Sequence, residues 1–198
     1  MSYSPMMRQY LNTKEQYKDC ILFYRLGDFY EMFFEDAETA SRELDLVLTG
    51  RQCGKKERAP MCGVPYHAYE SYVAKLIDKG YKVAIAEQMS DPALSKGLVD
   101  REVVRVITPG TVLSESILDE KENNYLAALS ESEEGFGLCW CDISTGEFRA
   151  MQIKGSDLKQ QLLAQLSRIR PKELLVKEND PYSLQLAETA TLSDEIYI

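Results

Sequence analysis

The chain has 198 residues, of which 44% are hydrophobic, so it can build one large core or two small ones, and disorder is excluded as its main state. The net charge of −9 excludes a surface that attracts nucleic acid everywhere, so any contact with DNA is expected to be local.

The first half of the chain predicts alternating helices and strands. Apolar spacing indicates a helix at 6–17, and a β-rich run at 21–26 indicates a strand that ends at Gly27. From Asp28 the apolar residues recur at helical spacing as far as Leu44, which predicts an amphipathic helix of about four turns.

A polar, basic stretch at 49–59 follows and is expected to form an exposed loop. Its basic side chains are Arg51, Lys55, Lys56 and Arg58. A second amphipathic helix at 69–77 and strands at 81–86 and 103–107 then complete a compact α/β domain.

The second half of the chain predicts a three-stranded meander, then a helix and a further strand. The predicted elements are strands at 125–129, 136–143, 148–153 and 173–176 and a helix at 158–169. Ser156 is expected to cap this helix, and Pro171 is expected to end it.

The pattern therefore predicts two domains joined by an acidic, polar linker. The predicted bounds are 1–115 for the first domain, 116–124 for the linker and 125–198 for a truncated second domain. The net charge is −2 up to residue 115 and −7 beyond it, so the acidic excess lies mainly in the second half. Open sheet edges in a truncated domain are expected to favour self-association.

The sequence lacks the motifs of several enzyme classes. His67 is the only histidine, which makes a Ser-His-Asp or Cys-His catalytic site a weak hypothesis. There is no phosphate-binding glycine loop, so the chain is expected not to be an ATPase. Asp142 and Glu147 flank a Ser-Thr-Gly turn, where acidic residues are ordinary, so a turn is preferred there over the metal site of a nuclease.

The cysteines and the hydropathy pattern indicate a soluble, unexported protein. The five cysteines are irregularly spaced and match no zinc motif, so they are expected to be reduced thiols in the cytoplasm. No apolar run approaches the length of a membrane helix, and residues 1–10 do not resemble a signal peptide.

Two interpretations remain open for the segment after Gly27. Asp28 and Glu31 have the spacing of a capping box, in which case Phe29 is a core residue of the helix. Alternatively, Phe29 projects from the tip of its element as a wedge that unstacks a base step from the minor groove. Glu31 would then contact the base edge and would repel ordinary duplex, which restricts binding to distorted sites.

Several separated motifs occur in a characteristic order along the chain. They are 23–33 (FYRLGDFYEMF), 48–51 (LTGR), 61–68 (MCGVPYHA), 86–88 (AEQ) and 104–111 (VRVITPGT). Together they resemble the N-terminus of the MutS family, the bacterial sensors of DNA mismatches. The resemblance covers essentially the whole chain. It implies a mixed α/β mismatch-recognition domain followed by part of an RNase H-like connector domain.

The resemblance also implies roles for individual residues. Phe29 corresponds to the stacking wedge and Glu31 to the acid that contacts the mispaired base, whereas Tyr30 faces away. The residues expected near the DNA backbone are Arg51, Lys55, Lys56, Arg58 and Arg105. His67 either touches a phosphate or packs beside Tyr66, and packing is preferred.

Finally, the resemblance implies a longer protein. Family members continue into a lever, a clamp and an ATPase domain that uses ATP and Mg²⁺; they act as cytoplasmic, nucleoid-associated homodimers and recruit MutL through the connector domain. This chain would then have no enzymatic activity or cofactor, and would bind duplex DNA weakly because most phosphate contacts lie elsewhere. The alternatives are a protein-interaction module with Phe29 in its core and a paralogue without mismatch specificity.

Overall fold

The computed structural model describes residues 3–54, 58–89, 98–112, 118 and 122–177. The chain divides into two compact units, Met1–Ile107 and Thr108–Ile198. Each is a mixed α/β structure, as the sequence predicted. Within the described part of the chain, no helix combines the length and the apolarity needed to cross a membrane.

The described residues of unit 1 form six strands and three α-helices. The helices are α1 (Pro5–Gln16), α2 (Phe34–Leu44) and α3 (Tyr69–Ile77), and the strands are β1 (Cys20–Leu26), β2 (Phe29–Phe33), β3 (Thr49–Gln52), β4 (Arg58–Pro65), β5 (Lys82–Gln88) and β6 (Arg101–Ile107). The strands form one sheet in the order β3-β4-β2-β1-β5-β6. The predicted helices at 6–17 and 69–77 and the strands at 21–26, 81–86 and 103–107 are confirmed, with small shifts at their ends.

The predicted helix that begins at Asp28 is wrong over its first turn. Phe29–Phe33 is a strand, Asp28 lies in the turn that precedes it, and the helix begins only at Phe34. The capping box is therefore not formed. The physical reason is that β2 pairs with β1 on one side and β4 on the other, so its backbone groups find partners in the sheet.

The predicted loop at 49–59 is also partly wrong, because both of its ends lie in strands. Thr49–Gln52 forms β3 and pairs antiparallel with the start of β4. The composition of this stretch predicts a loop because it is short, polar and rich in glycine and arginine. Its strand structure comes from backbone pairing with residues as far along the chain as Met61, which composition does not indicate.

Helices cover both faces of the unit 1 sheet. Tyr10 of α1 packs edge-on against Tyr24 and Phe33, with ring centroids 5.3 and 4.9 Å apart. Phe23 contacts Tyr30, whose ring contacts Tyr69 of α3 at 5.0 Å. Because neighbouring residues of a strand point to opposite faces, α1 and α3 lie on opposite sides of the sheet.

Where unit 2 is described, it forms a four-stranded sheet and one α-helix. Its elements are β7 (Tyr125–Ser132), β8 (Gly135–Asp142), β9 (Glu147–Ile153), α4 (Leu158–Ile169) and β10 (Glu173–Leu175). The sheet order is β10-β7-β8-β9, and β10 runs parallel to β7. This confirms the predicted meander, helix and final strand. The core includes Trp140 of β8 and the α4 stripe Leu162, Leu166 and Ile169.

Two details of unit 2 differ from or add to the sequence prediction. Asp157, not Ser156, occupies the N-cap position of α4; it adopts a left-handed conformation with φ of 57° and makes no side-chain capping bond. Ser156 lies one residue before that position, and its carbonyl oxygen accepts a bond from the Gln161 side chain. The turn at Thr108–Thr111 is held by Glu173, whose Oε2 accepts from the Gly110 amide at 3.0 Å. The predicted bounds of the two domains stay a prediction.

Asp142 stabilises the hairpin between β8 and β9. Its Oδ1 accepts bonds from the Ser144 amide and hydroxyl at 2.9 and 2.6 Å, and its Oδ2 accepts from the Asn124 amide at 3.0 Å. Burial acts to raise the pKa of Asp142, but these bonds outweigh it and hold the pKa below its usual range. Glu147 is engaged by Arg149 and Tyr125. The carboxylates are thus occupied by the turn.

We expect Asp142→Ala to lower the free energy of unfolding of unit 2 by about 1 kcal/mol, because several donors lose a charged acceptor. A carboxyl with a lowered pKa in the folded state contributes stability above its unfolded pKa and loses it as the pH falls through the folded pKa. Thermal unfolding followed between pH 7 and pH 2 should therefore show less acid destabilisation in the variant. An unchanged acid profile would contradict this role.

Candidate nucleic-acid interface

Phe29 is exposed at one end of the unit 1 sheet. It is the first residue of β2, opposite Leu26 of β1 and Pro65 of β4, and 47% of it is accessible. Tyr30 lies on the other face of the strand and is buried, which agrees with its expected orientation away from Phe29. The interpretation of Phe29 as a core residue is wrong, because its strand position turns the ring outward.

The turn that carries Phe29 is fixed by hydrogen bonds to its backbone. Gly27 adopts a φ of +61°, a conformation that glycine tolerates without strain. Its amide donates to Oε1 of Gln88 at 3.0 Å, and the carbonyl of Asp28 accepts from the Tyr66 amide at 2.9 Å. Gln88 of β5 and Tyr66, which follows β4, thus hold the backbone of the turn that ends β1.

Arg25 adds a second layer of contacts beneath this turn. Its guanidinium lies 3.8 Å from the centroid of the Tyr66 ring, donates to the Gly27 carbonyl and approaches Glu87 at 3.9 Å. Tyr30 donates its hydroxyl hydrogen to Glu87. Burial and this hydrogen bond raise the pKa of Tyr30 well above its usual range, so Tyr30 is a neutral donor at pH 7.

Arg25→Ala is expected to loosen the Phe29 turn without unfolding unit 1. A cation over an aromatic ring contributes about 0.5–1 kcal/mol at an exposed site, so amide exchange at Gly27 should accelerate about two- to fivefold. Hydrogen exchange followed by NMR measures this directly. The matched control is Arg42→Ala, whose guanidinium is exposed on α2 and contacts Glu43. Equal exchange rates in both variants would show that Arg25 does not hold the turn.

Exposed apolar side chains surround Phe29 at this end of the sheet. Tyr66 follows β4 and Met89 follows β5, and both are largely exposed. Exposed apolar side chains grouped at one end of a sheet are typical of a binding surface. An exposed ring on a rigid turn can enter a base step that is already weakly stacked, at a cost of a few kcal/mol.

Glu31 lies on the same face of β2 as Phe29, two residues further along. Its side chain is 15% exposed and is ion-paired with Arg51 of β3. The structure therefore brings Phe29, Glu31 and Arg51 to one side of the sheet. A carboxylate beside an exposed ring can accept a hydrogen bond from a base that the ring contacts.

The other predicted site residues lie in different places. Arg58 is exposed at the start of β4 and donates to the Gly50 carbonyl at 2.6 Å. His67 is exposed, and its ring packs edge-on against Tyr66 at 5.8 Å, in agreement with the packing interpretation. Lys55 and Lys56 lie outside the described residues.

Arg105 is not brought together with Glu31. It lies on β6, three strands from β2, which at about 4.8 Å per strand is roughly 14 Å away. It faces the α3 side of the sheet: burial raises the pKa of Tyr69, and the positive charge of Arg105 partly opposes that rise. Any contact of Arg105 with DNA would therefore be made at the opposite edge of the sheet from Arg51.

The residues that position Phe29 were not identified as functional from the sequence. Arg25, Glu87 and Gln88 fall within the resembling motifs, yet they are far apart along the chain and meet only because β1 and β5 are neighbours. The sequence signal that could have identified Arg25 is its position two residues before Gly27. The described residues contain no group of three or more His, Cys, Asp or Glu side chains arranged to hold a metal ion.

Comparison with known proteins shows the family of the chain. Residues 4–116 match the family model for MutS domain I, and residues 124–196 match that for MutS domain II. The chain belongs to the MutS family. The two MutS domains correspond to the two mixed α/β units of the structure.

The relatives with the same family name are bacterial. The chain is 52% identical over 197 residues to the DNA mismatch repair protein MutS of Acetivibrio thermocellus, covering 100% of this chain and 23% of that protein. It is 58% identical to the Ruminiclostridium cellulolyticum protein of that name, covering 87% and 20%, and 52% identical to that of Clostridioides difficile, covering 98% and 20%. The chain thus spans about a fifth of the length of these MutS relatives.

Proposed function

We propose that this chain is the mismatch-recognising N-terminal part of a bacterial DNA mismatch-repair protein. In this proposal Phe29 enters the duplex from the minor groove at a mispair, and Glu31 contacts the mispaired base. The observation that carries the proposal is the exposed Phe29 ring on a turn fixed by hydrogen bonds to its backbone. A rigid ring loses little conformational freedom on binding, so its stacking energy is retained.

The charged side chains near Phe29 favour binding at a DNA defect and disfavour tight binding to an ordinary duplex. A carboxylate at the tip of a DNA-binding surface repels phosphates, and this penalty is offset only where a base offers a hydrogen-bond donor. Arg58 and the predicted contacts of Lys55, Lys56 and Arg105 would position the duplex without reading its sequence. The binding site we propose therefore discriminates by deformability and by one polar contact.

The remaining expected properties belong to a longer protein. We propose that the full-length protein binds ATP with Mg²⁺ in a domain outside this chain, forms a homodimer and contacts MutL through unit 2. The chain itself is proposed to be a binding module with no catalytic residue. In unit 2 Asp142 is engaged by turn donors, which supports the turn interpretation over a nuclease site.

The test is a titration of the full-length protein against three duplexes of one length: G·T, an unpaired T, and fully matched. At fixed salt we expect the first two to bind at least tenfold more tightly than the third. The 198-residue chain should bind all three weakly, because counterion release from phosphate contacts supplies most duplex affinity. Equal affinities of the full-length protein, or nanomolar binding by the short chain, would contradict the proposal.

A further inference from the structure

The ion pair between Glu31 and Arg51 spans a whole strand. Glu31 lies on β2 and Arg51 on the edge strand β3, and β4 runs between them. Nη1 of Arg51 nevertheless donates to Oε2 of Glu31. The two side chains therefore meet across β4.

Gly63 of β4 provides the space for this contact. It is the residue opposite Glu31 in the ladder, and a Cβ atom built there would lie 3.4 Å from Cγ of Glu31 and 3.1 Å from the Tyr30 carbonyl oxygen. A Cβ atom at this position would crowd the Tyr30 carbonyl oxygen and would lie in van der Waals contact with the Glu31 side chain. With glycine there, the space beside the Glu31 side chain on β4 stays open.

The ion pair also affects the charge and the orientation of the Glu31 carboxylate. The Glu31 side chain is 15% exposed, whereas that of Arg51 is 38% exposed, so the arginine is the more accessible partner of the pair. An arginine held by a carboxylate neutralises its charge and fixes its rotamer through a geometrically specific bond. Without Arg51, Glu31 would lose both its compensating charge and its fixed orientation.

We propose that Arg51 is a positioning residue for Glu31 and sets mismatch specificity through that carboxylate, instead of acting as an independent phosphate contact. This inference rests on the proposed function of Glu31. Arg51 holds the acid at a fixed distance from Phe29 and limits its repulsion of the approaching duplex. Its contribution to discrimination therefore depends on the presence of Glu31.

The test compares Arg51→Ala, Glu31→Ala and the double variant in the full-length protein, with G·T and matched duplexes at several salt concentrations. We expect Arg51→Ala to reduce the mismatch preference about as much as Glu31→Ala, and the double variant to be no worse than either. The slope of log affinity against log salt should stay unchanged, and Arg51→Lys should restore part of the preference because it keeps the charge.

A phosphate contact would give a different pattern. Arg51→Ala would then weaken both duplexes alike, reduce the salt slope by about one, and add to the effect of Glu31→Ala. That pattern would overturn the inference. Arg42→Ala is the control, and Arg51→Gln replaces Arg51→Ala if circular dichroism shows unfolding. If Phe29→Ala leaves the mismatch preference intact, the proposed function itself fails. If Phe29→Ala and Glu31→Ala lose the preference as expected but the Arg51 variants follow the phosphate-contact pattern, only this inference fails.

Discussion

Replacing Phe29 with alanine is expected to abolish most of the preference of the full-length protein for mismatched DNA. Stacking of one base on an aromatic ring contributes about 1–3 kcal/mol, which corresponds to a loss of roughly five- to 150-fold in affinity for the mispaired duplex. Affinity for matched duplex should change little, because an intact base stack does not admit the ring. Parallel titrations with G·T and matched duplexes measure this difference.

The fold should survive this substitution because the ring is about half exposed and its backbone pairing is unchanged. A suitable control is Phe148→Ala, which removes a 68% exposed phenylalanine from β9 of unit 2. We expect the control to keep the full mismatch preference. If both variants discriminate like the wild type, or if Phe29→Ala unfolds unit 1, Phe29 is not the wedge.

Replacing Glu31 with alanine is expected to produce the second large effect. It should weaken binding of the mispaired duplex without weakening binding of the matched duplex. The mispaired duplex loses a hydrogen bond to a charged group, worth about 1.5–3 kcal/mol. The matched duplex loses a repulsive charge and binds as well as before or better. The ratio of the two dissociation constants is therefore the quantity to measure.

Glu31→Gln separates the two contributions of this side chain. The amide keeps hydrogen-bonding capacity but carries no charge, so the mismatch preference should be intermediate between those of wild type and Glu31→Ala. Circular dichroism checks that removing the partner of Arg51 leaves the sheet intact. A uniform change in affinity for every duplex would show that Glu31 does not read the mispair.

The sequence predicted those elements whose periodicity is strong and local. The helix α1, the strand β1, the helix α3 and the meander of unit 2 are all confirmed, since each buries a regular apolar face. For Phe29 the sequence left two interpretations open, a buried core residue and an exposed ring. The choice between them depends on pairing with β4, in which the partner of Phe29 is Pro65.

The segment 29–33 shows why this choice could not be made locally. Phe29, Phe33 and Ala37 fit a helical stripe, but Tyr30 and Met32 also alternate with Phe29 and Glu31 as in a strand. Both patterns place apolar residues on one side. The sheet prevails because strands β1 and β4 pair with both edges of this segment, and no local propensity encodes that.

The candidate site depends still more on long-range contacts. Glu31 and Arg51 are 20 residues apart, and Gly27 and Gln88 are 61 apart. The sequence identified Phe29, Glu31 and Arg51 as candidates through the family resemblance, but it could not show that the acid and the arginine are partners. That partnership is formed across β4, where Gly63 lies opposite Glu31.

The central claim is that Phe29 meets the mispaired base itself. The most direct measurement places the photoreactive residue p-benzoylphenylalanine at position 29 of the full-length protein, irradiates it with a duplex containing one G·T pair, and maps the crosslinked nucleotide. We predict crosslinks at the mispair or the adjacent base, none of comparable yield on matched duplex, and none specific to the mispair from position 148. Crosslinks spread evenly along both duplexes would contradict the account.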